Sequence, residues 1–247
     1  MDRLFVLDMP ALMNFEADGK IIEYICDHFA KGRCDKVERT ENLHDYGATK
    51  VINNIEYKVI PLSSVEHTRE WLMRVHHVEM TPIEIPLELQ KYNPGYQVMQ
   101  GADLIYANPP GYKYFIKRID EFKSWNSNQH PYEDDLTPYI KEDGVYVVSP
   151  KHTIYSEWRL FVYYDIIQCS NYSGNPMMFP DLNIIERIRY DYLKIPHPRA
   201  YTIDIAVTDI GTILLEIHPF IACGLYGFQD EDLLDMWEAG IDWYIKR

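Results

Sequence analysis

Asp204, Glu216 and His218 have the types and spacing of residues that could do chemistry together. They fall in the segment Tyr201–His218, which reads as two strands around a turn at Asp209-Ile210-Gly211. With Gly211 in the left-handed position of that turn, Asp204 falls opposite Glu216. His218 lies two residues further on, on the same face as Glu216. Two carboxylates roughly 5 Å apart on one sheet face repel each other, and a divalent cation between them relieves that repulsion. Asp, Glu and an imidazole would suit a Mg²⁺ shell shared with phosphate oxygens. The alternative is a solvated face with two ordinary acids. The neighbours Ile203, Ile205, Val207, Ile213, Leu215 and Ile217 argue for burial on at least one face.

Two further groups could serve a nucleotide. Glu157 and Arg159 alternate with Trp158 and Leu160, so both polar groups point the same way. They could neutralise each other, or Glu157 could accept ribose hydroxyls while Arg159 contacts phosphates or an anionic intermediate. Lys117, with Lys123 further along, could neutralise phosphate or be solvated edge residues. The extended run Val147-Val148-Ser149-Pro150 could meet a base edge through its backbone.

The elements that position these groups follow from periodicity and punctuation. Residues 1–110 read as one α/β unit. In it are a buried strand at Leu4–Leu7, a helix from Gly19 to Ala30, strands on either side of Asn53-Asn54, and a helix Val65–His77 capped by Ser64. Prolines thicken the stretch 82–110, which reads as a connector with a short helix at Leu87–Tyr92. Asn108-Pro-Pro-Gly111 marks a domain boundary. Residues 112–247 read as α+β: strands at Tyr112–Lys117 and Gly144–Ser149, a strand pair within Trp158–Ile167, a helix Leu182–Tyr192, the hairpin, and a closing amphipathic helix Asp230–Tyr244.

Composition narrows the class. The 247 residues are 47% hydrophobic and 25% charged, which is globular rather than disordered. The net charge of −14 argues against nucleic-acid backbones as partners. Four cysteines without C-x-x-C spacing read as reduced thiols. Asp2 and Asp8 interrupt any signal-peptide core, and no apolar run approaches the roughly 18 residues of a membrane span. The expectation is a cytoplasmic protein with no membrane partner.

In order along the chain come a strand-borne lysine, an extended hinge, Glu-x-Arg on a strand, and Asp…Glu-x-His on a hairpin. That order resembles the ATP-grasp superfamily. Phe115–Lys123, Glu157–Val162, Tyr201–Asp204 and Glu216–Tyr226 resemble its clade named for two arginines and one lysine. Ile60–Glu66 and Pro82–Leu89 are similar to that clade's upstream segment. The resemblance implies two α+β subdomains gripping ATP (residues 111–247), preceded by an α/β pre-ATP-grasp domain (residues 1–110). It implies that Lys117 and Lys123 contact phosphates, Val147, Val148 and Ser149 form the adenine hinge, and Glu157 holds ribose. Arg159 would hold phosphates or an acyl-phosphate, and Asp204 and Glu216 would ligate Mg²⁺, with His218 at the position where the family usually has Asn. The second arginine stays open among Arg187, Arg189 and Arg199, with Gln97 at its expected position. The implied activity is an ATP-dependent carboxylate–amine ligase working through an acyl-phosphate, on small-molecule or peptide carboxylates and amines. An ATP-grasp phosphotransferase and a degenerate ATP-binding interaction protein are the alternatives, and a homodimer is compatible with either.

Overall fold

In a computed structural model, every residue is described except 15, 31–32, 34, 81–84, 122–124, 131–132, 222 and 247. The expected phosphate ligand Lys123, and Pro82 to Glu84 of the upstream segment, lie outside the described residues.

The N-terminal sheet has four strands: β1 (Asp2–Asp8), β2 (Lys36–Thr40), β3 (Thr49–Ile52) and β4 (Ile55–Leu62), in the order β2-β1-β4-β3. β1 runs parallel to both β2 and β4, and β3 is antiparallel to β4. Asn53 and Asn54 both take positive φ between β3 and β4, as a tight hairpin turn with right-handed strand twist demands. Helices α1 (Met9–Met13) and α2 (Glu16–Ile25) follow β1, and α2 ends in a π-helical turn at Cys26–Ala30. Helix α3 (Val65–His76) starts where the Ser64 side chain accepts from the His67 backbone N–H at 3.2 Å, the expected cap.

A short 3-10 helix at Leu87–Tyr92 leads to β5 (Gln97–Gln100), α4 (Gly101–Ala107), β6 (Tyr114–Arg118) and β7 (Val145–Pro150). These strands form a small antiparallel sheet with β7 in the centre. Its first strand, β5, lies on the N-terminal side of the boundary expected at residue 110. The third sheet has the order β11-β10-β8-β9, all antiparallel, from β8 (Ile154–Tyr163), β9 (Asp165–Gly174), β10 (Ala200–Thr208) and β11 (Gly211–Pro219). Helix α5 (Leu182–Tyr192) covers one face, where Ile185, Ile188 and Tyr192 pack on Trp158, Leu160, Tyr201 and Ile203. Strand alternation turns Glu157, Arg159, Thr202 and Asp204 to the other face. The closing helix α6 (Leu233–Ile245) packs back on the N-terminal sheet, in one core with Leu4, Phe5, Trp71, Phe161 and Phe220. The fold is thus α+β, as expected, with two antiparallel sheets facing a common cleft.

Candidate functional site

The cleft has a volume of about 420 Å³. The small sheet contributes Phe115, Lys117, Val147 and Ser149 to it, and the large sheet Glu157, Tyr172, Asp204, Ile213, Leu215 and Glu216. Its lining is part charged and part apolar.

Asp204 lies opposite Glu216 on one neighbouring strand and opposite Arg159 on the other. Arg159 grips Asp204 bidentately, Nε to Oδ1 at 2.7 Å and Nη2 to Oδ2 at 2.6 Å. Its Nη1 donates to the Gly224 carbonyl at 3.0 Å. Burial opposes the Arg159 charge, but the Asp204 hydrogen bonds outweigh it and hold the guanidinium above its ordinary pKa. Lys117 Nζ reaches across the cleft to Glu216 Oε1 at 3.3 Å. Burial pushes the Glu216 carboxyl up, and the positive field of His218, Lys117 and Arg159 more than reverses it, so Glu216 stays ionised. Glu157 is raised instead, by burial and then by the Asp204 charge, against a hydrogen bond from Ser173.

The hairpin reaches this arrangement by a route that simple alternation does not contain. From the turn, Thr208 pairs with Gly211, Ala206 with Ile213, and Ile205 with Leu214. The register then shifts, so Asp204 meets Glu216 and Leu215 is the extra residue of a bulge. A regular ladder would set Leu215 opposite Asp204 and turn Glu216 and His218 towards α5. The bulge instead gives the cleft an apolar pair, Ile213 and Leu215, followed directly by an acid. A second bulge, on β9, frees Tyr172 between the pairs Glu157–Ser173 and Trp158–Asn171. Tyr172 stacks on Tyr226 at 4.7 Å, and the Arg159 guanidinium lies 5.0 Å from the Tyr226 ring centre.

Ligand atoms of Asp204, Glu216 and His218 lie within 4.8 Å of one another. Each Asp204 oxygen accepts one bond from Arg159 and keeps lone-pair capacity for a cation. His218 is differently placed. Its Nδ1 faces the Pro219 carbonyl at 3.0 Å and must donate to it, and its Nε2 pairs with Thr202 Oγ1 at 2.9 Å. Both ring nitrogens are therefore engaged. The two carboxylates fit a hard cation such as Mg²⁺, and the imidazole is held by its neighbours.

Val147, Val148 and Ser149 are all buried in β7. Val147 and Ser149 line the cleft, while Val148 packs into the small-sheet core. On the β5 side the ladder ends at the Gln97–Val148 pair, so backbone groups without a sheet partner on that side begin at Ser149. None of the arginine candidates lines the cleft. Arg187 and Arg189 lie on α5, beyond the sheet, with Arg189 paired to Asp165 at 2.9 Å. Arg199 Nη1 donates to the Tyr164 hydroxyl at 3.3 Å. Burial pushes the Cys223 thiol, beside Arg159, up to about 12, so it stays protonated.

Asn93 is a site residue that sequence reasoning passed over. It is 6% exposed, lines the cleft, and donates through Nδ2 to the Leu214 carbonyl at 3.0 Å. A carbonyl only accepts, so the amide orientation is fixed and Oδ1 is left without a partner among the described residues. In sequence Asn93 falls in the proline-rich connector; only the strand it meets gives its side chain a task.

A cleft between two antiparallel sheets, lysine on one and an Arg–Asp–Glu group on the other, defines the ATP-grasp class. Residues 98–236 match the model of an ATP-grasp domain family, the second family of the clade named for two arginines and one lysine, and the chain belongs to that family. No curated protein matches the sequence. Similar solved structures include the ATP-grasp ligase PsnB complexed with minimal precursor, with 10% identity, a TM-score of 0.56 and coverage of 98% of this chain and 99% of that one. A RimK domain ATP-grasp protein from Sphaerobacter thermophilus has 14% identity, a TM-score of 0.54 and coverage of 98% of both chains. The D-alanyl-alanine synthetase A of Vibrio cholerae has 10% identity and a TM-score of 0.52, with 100% of this chain and 99% of that chain covered. At these identities the likeness is one of fold. No helix among the described residues is long and apolar enough to cross a membrane.

Proposed function

We propose that this chain is an ATP-dependent ligase that joins a carboxylate to an amine through an acyl-phosphate. The observation that carries the reading is the mixed lining of the cleft. Lys117, Asp204 and Glu216 line the same cavity as the apolar Ile85, Val147, Ile213 and Leu215. Phosphates suit the charged groups and a base the apolar ones. Asn93 Oδ1, an orphaned acceptor in the cleft lining, suits the amino group of adenine. Glu157 suits the ribose hydroxyls. Asp204 and Glu216 would hold Mg²⁺, which when bound neutralises charge on the phosphates.

In this reading the substrate carboxylate attacks the γ-phosphorus. An O–P bond forms, the bond to the β-phosphate oxygen breaks, and ADP leaves with the bonding pair. Lys117 and Arg159 stabilise charge on the transferring group. Three of the five Arg159 N–H groups are taken by Asp204 and Gly224, so two remain for an oxyanion. Amine attack on the acyl carbon then expels phosphate. No side-chain nucleophile is needed, in keeping with the protonated Cys223. The ligases among the similar structures, one complexed with its precursor, favour this outcome and allow a peptide or small-molecule substrate.

The test is ADP release with Mg²⁺-ATP across amino acids, peptides and cell extract, with mass spectrometry of products. ADP release with a new amide supports the ligase. A phosphorylated acceptor without an amide marks a phosphotransferase. A thermal shift by Mg²⁺-ATP with no ADP formed in any mixture marks a binding module.

A further inference from the structure

A second constellation lies outside the nucleotide cleft, at the carboxyl edge of the N-terminal sheet. Asp8 is the last residue of β1, Ser63 follows the end of β4, and His67 is in the first turn of α3. Asp8 is 1% exposed, and its Oδ2 accepts from Ser63 Oγ at 2.5 Å and from His67 Nδ1 at 2.6 Å. The Nδ1 bond fixes the ring: Nδ1 carries the proton and Nε2 is left as the base of the neutral imidazole. A buried acid that orients a half-exposed imidazole is the geometry of a general base.

Its position in the fold points the same way. The chain leaves β1 for β2 on one side and reaches β4 on the other, so the carboxyl ends of β1 and β4 form a switch point. Open α/β sheets take ligands in the crevice at such points. A pocket of about 90 Å³ opens there, lined by Asp8, Glu41, His44, His67, Glu70 and Arg74. Arg74 spends Nη2 on the carbonyls of Leu43, at 3.3 Å, and Tyr46, at 2.8 Å, and so holds the pocket wall. Against that one guanidinium the lining sets three carboxylates, Asp8, Glu41 and Glu70, a balance that favours an ammonium over an anion. Just after this edge, the Asp18 carboxylate accepts from the Leu225 backbone N–H at 3.0 Å, next to the Gly224 carbonyl that Arg159 binds. The sheet edge and the guanidinium are thereby joined through one loop.

We propose that this pocket is a binding site for a primary amine, with His67 Nε2 taking the ammonium proton and Asp8 as its positioning residue. The consequence rests on the ligase reading. The ammonium gives one proton to Nε2, and the free amine forms the C–N bond to the acyl carbon. The C–O bond to phosphate breaks with its pair going to phosphate, which also takes the surplus proton on nitrogen. The binding claim itself needs no ATP.

Histidine-ring NMR on the full chain tests it, with methylammonium and glycinamide as probes and acetate and sodium chloride as controls. Either amine should shift the His67 Nε2 resonance saturably and the controls should not. Asp8→Asn should remove the low-field Nδ1 proton and weaken amine binding at least tenfold. If Asp8→Asn does not fold, His67→Gln, altered at a half-exposed side chain, should show the same loss by calorimetry with an unchanged melting temperature. No saturable shift, an equal response to acetate, or wild-type binding in the variants overturns the site. Amine binding without any Mg²⁺-ATP thermal shift would sink the ligase reading and leave this pocket standing.

Discussion

Asp204 and Glu216 share a proposed metal site, yet their removal should differ. Asp204 is the buried partner of Arg159. Asp204→Ala leaves an uncompensated guanidinium in the core, which costs about 3–5 kcal/mol. Glu216 is half-buried, and its link to Lys117 is a long one at 3.3 Å, so Glu216→Ala should cost no more than about 1 kcal/mol. Both variants should lose Mg²⁺-dependent ATP turnover, and only Asp204→Ala should show a large fall in denaturation midpoint. Equal stabilities would mean that Arg159 finds another partner. Asn93→Leu makes a second prediction at this scale. The orphaned Oδ1 is lost, and with it about 1–3 kcal/mol of selectivity for a base bearing an amino donor. Calorimetry should show a clear loss of ATP affinity, while the triphosphate of unsubstituted purine, which lacks that donor, binds wild type and variant alike.

Elements whose cores are built from their own periodicity were legible in the sequence. Helices α5 and α6 carry an apolar face at helical spacing, and the strands of the large sheet alternate. The strand Lys36–Thr40 was not, because Lys-Val-Glu-Arg-Thr is the charged face of an edge strand and resembles a loop. β5 and α4 were hidden in a proline-rich stretch whose partner strand, β7, lies far along the chain. The facing of Asp204 and Glu216 was expected, but from a regular hairpin, whereas the bulge at Leu215 sets it. Alternation counts residues two at a time and has no place for one extra. The partner of Arg159 was likewise sought on its own strand, at Glu157, and is Asp204 on the next. Gly240 in α6 gives a prediction of the same kind. A helical glycine replaced by alanine ordinarily gains up to about 1 kcal/mol. Here an added Cβ would stand 2.0 Å from the Phe220 carbonyl oxygen, at the seam where α6 meets the end of β11. Gly240→Ala should therefore lower the melting temperature, and a rise would show that α6 can move away from that seam.

Over the whole molecule, α6 closes the chain onto its beginning. Its apolar face completes the core of the N-terminal sheet, and its acids meet the basic groups of that sheet. Arg3 pairs with Asp235 and with Glu238, and Lys58 holds Glu238 and Asp242, each at 2.6 Å. The large sheet is followed in the chain by α6, through the segment 220–232, so these pairs tie the N-terminal sheet, with its Asp8–His67 pair, to the part of the chain that follows Arg159 and Asp204. Their pH dependence has a definite sign. Burial raises the Asp242 carboxyl, but Lys246 and Lys58 more than offset this and hold it below its ordinary value. A carboxyl depressed in the folded state stabilises the protein above its unfolded pKa, near 3.9, and that contribution is lost as pH falls through the folded value. Lys58→Met keeps the apolar stem and removes the charge. At neutral pH the variant should be less stable by about 1 kcal/mol, a figure set by the partial exposure of the pair. As pH falls below about 4 the two denaturation midpoints should converge, because the wild type is then losing the interaction that the variant never had. A gap that stays constant from neutral pH into that range would show that the cost does not come from the ionised carboxylates, and would remove the ion pairs from the account of how α6 is held to the N-terminal sheet.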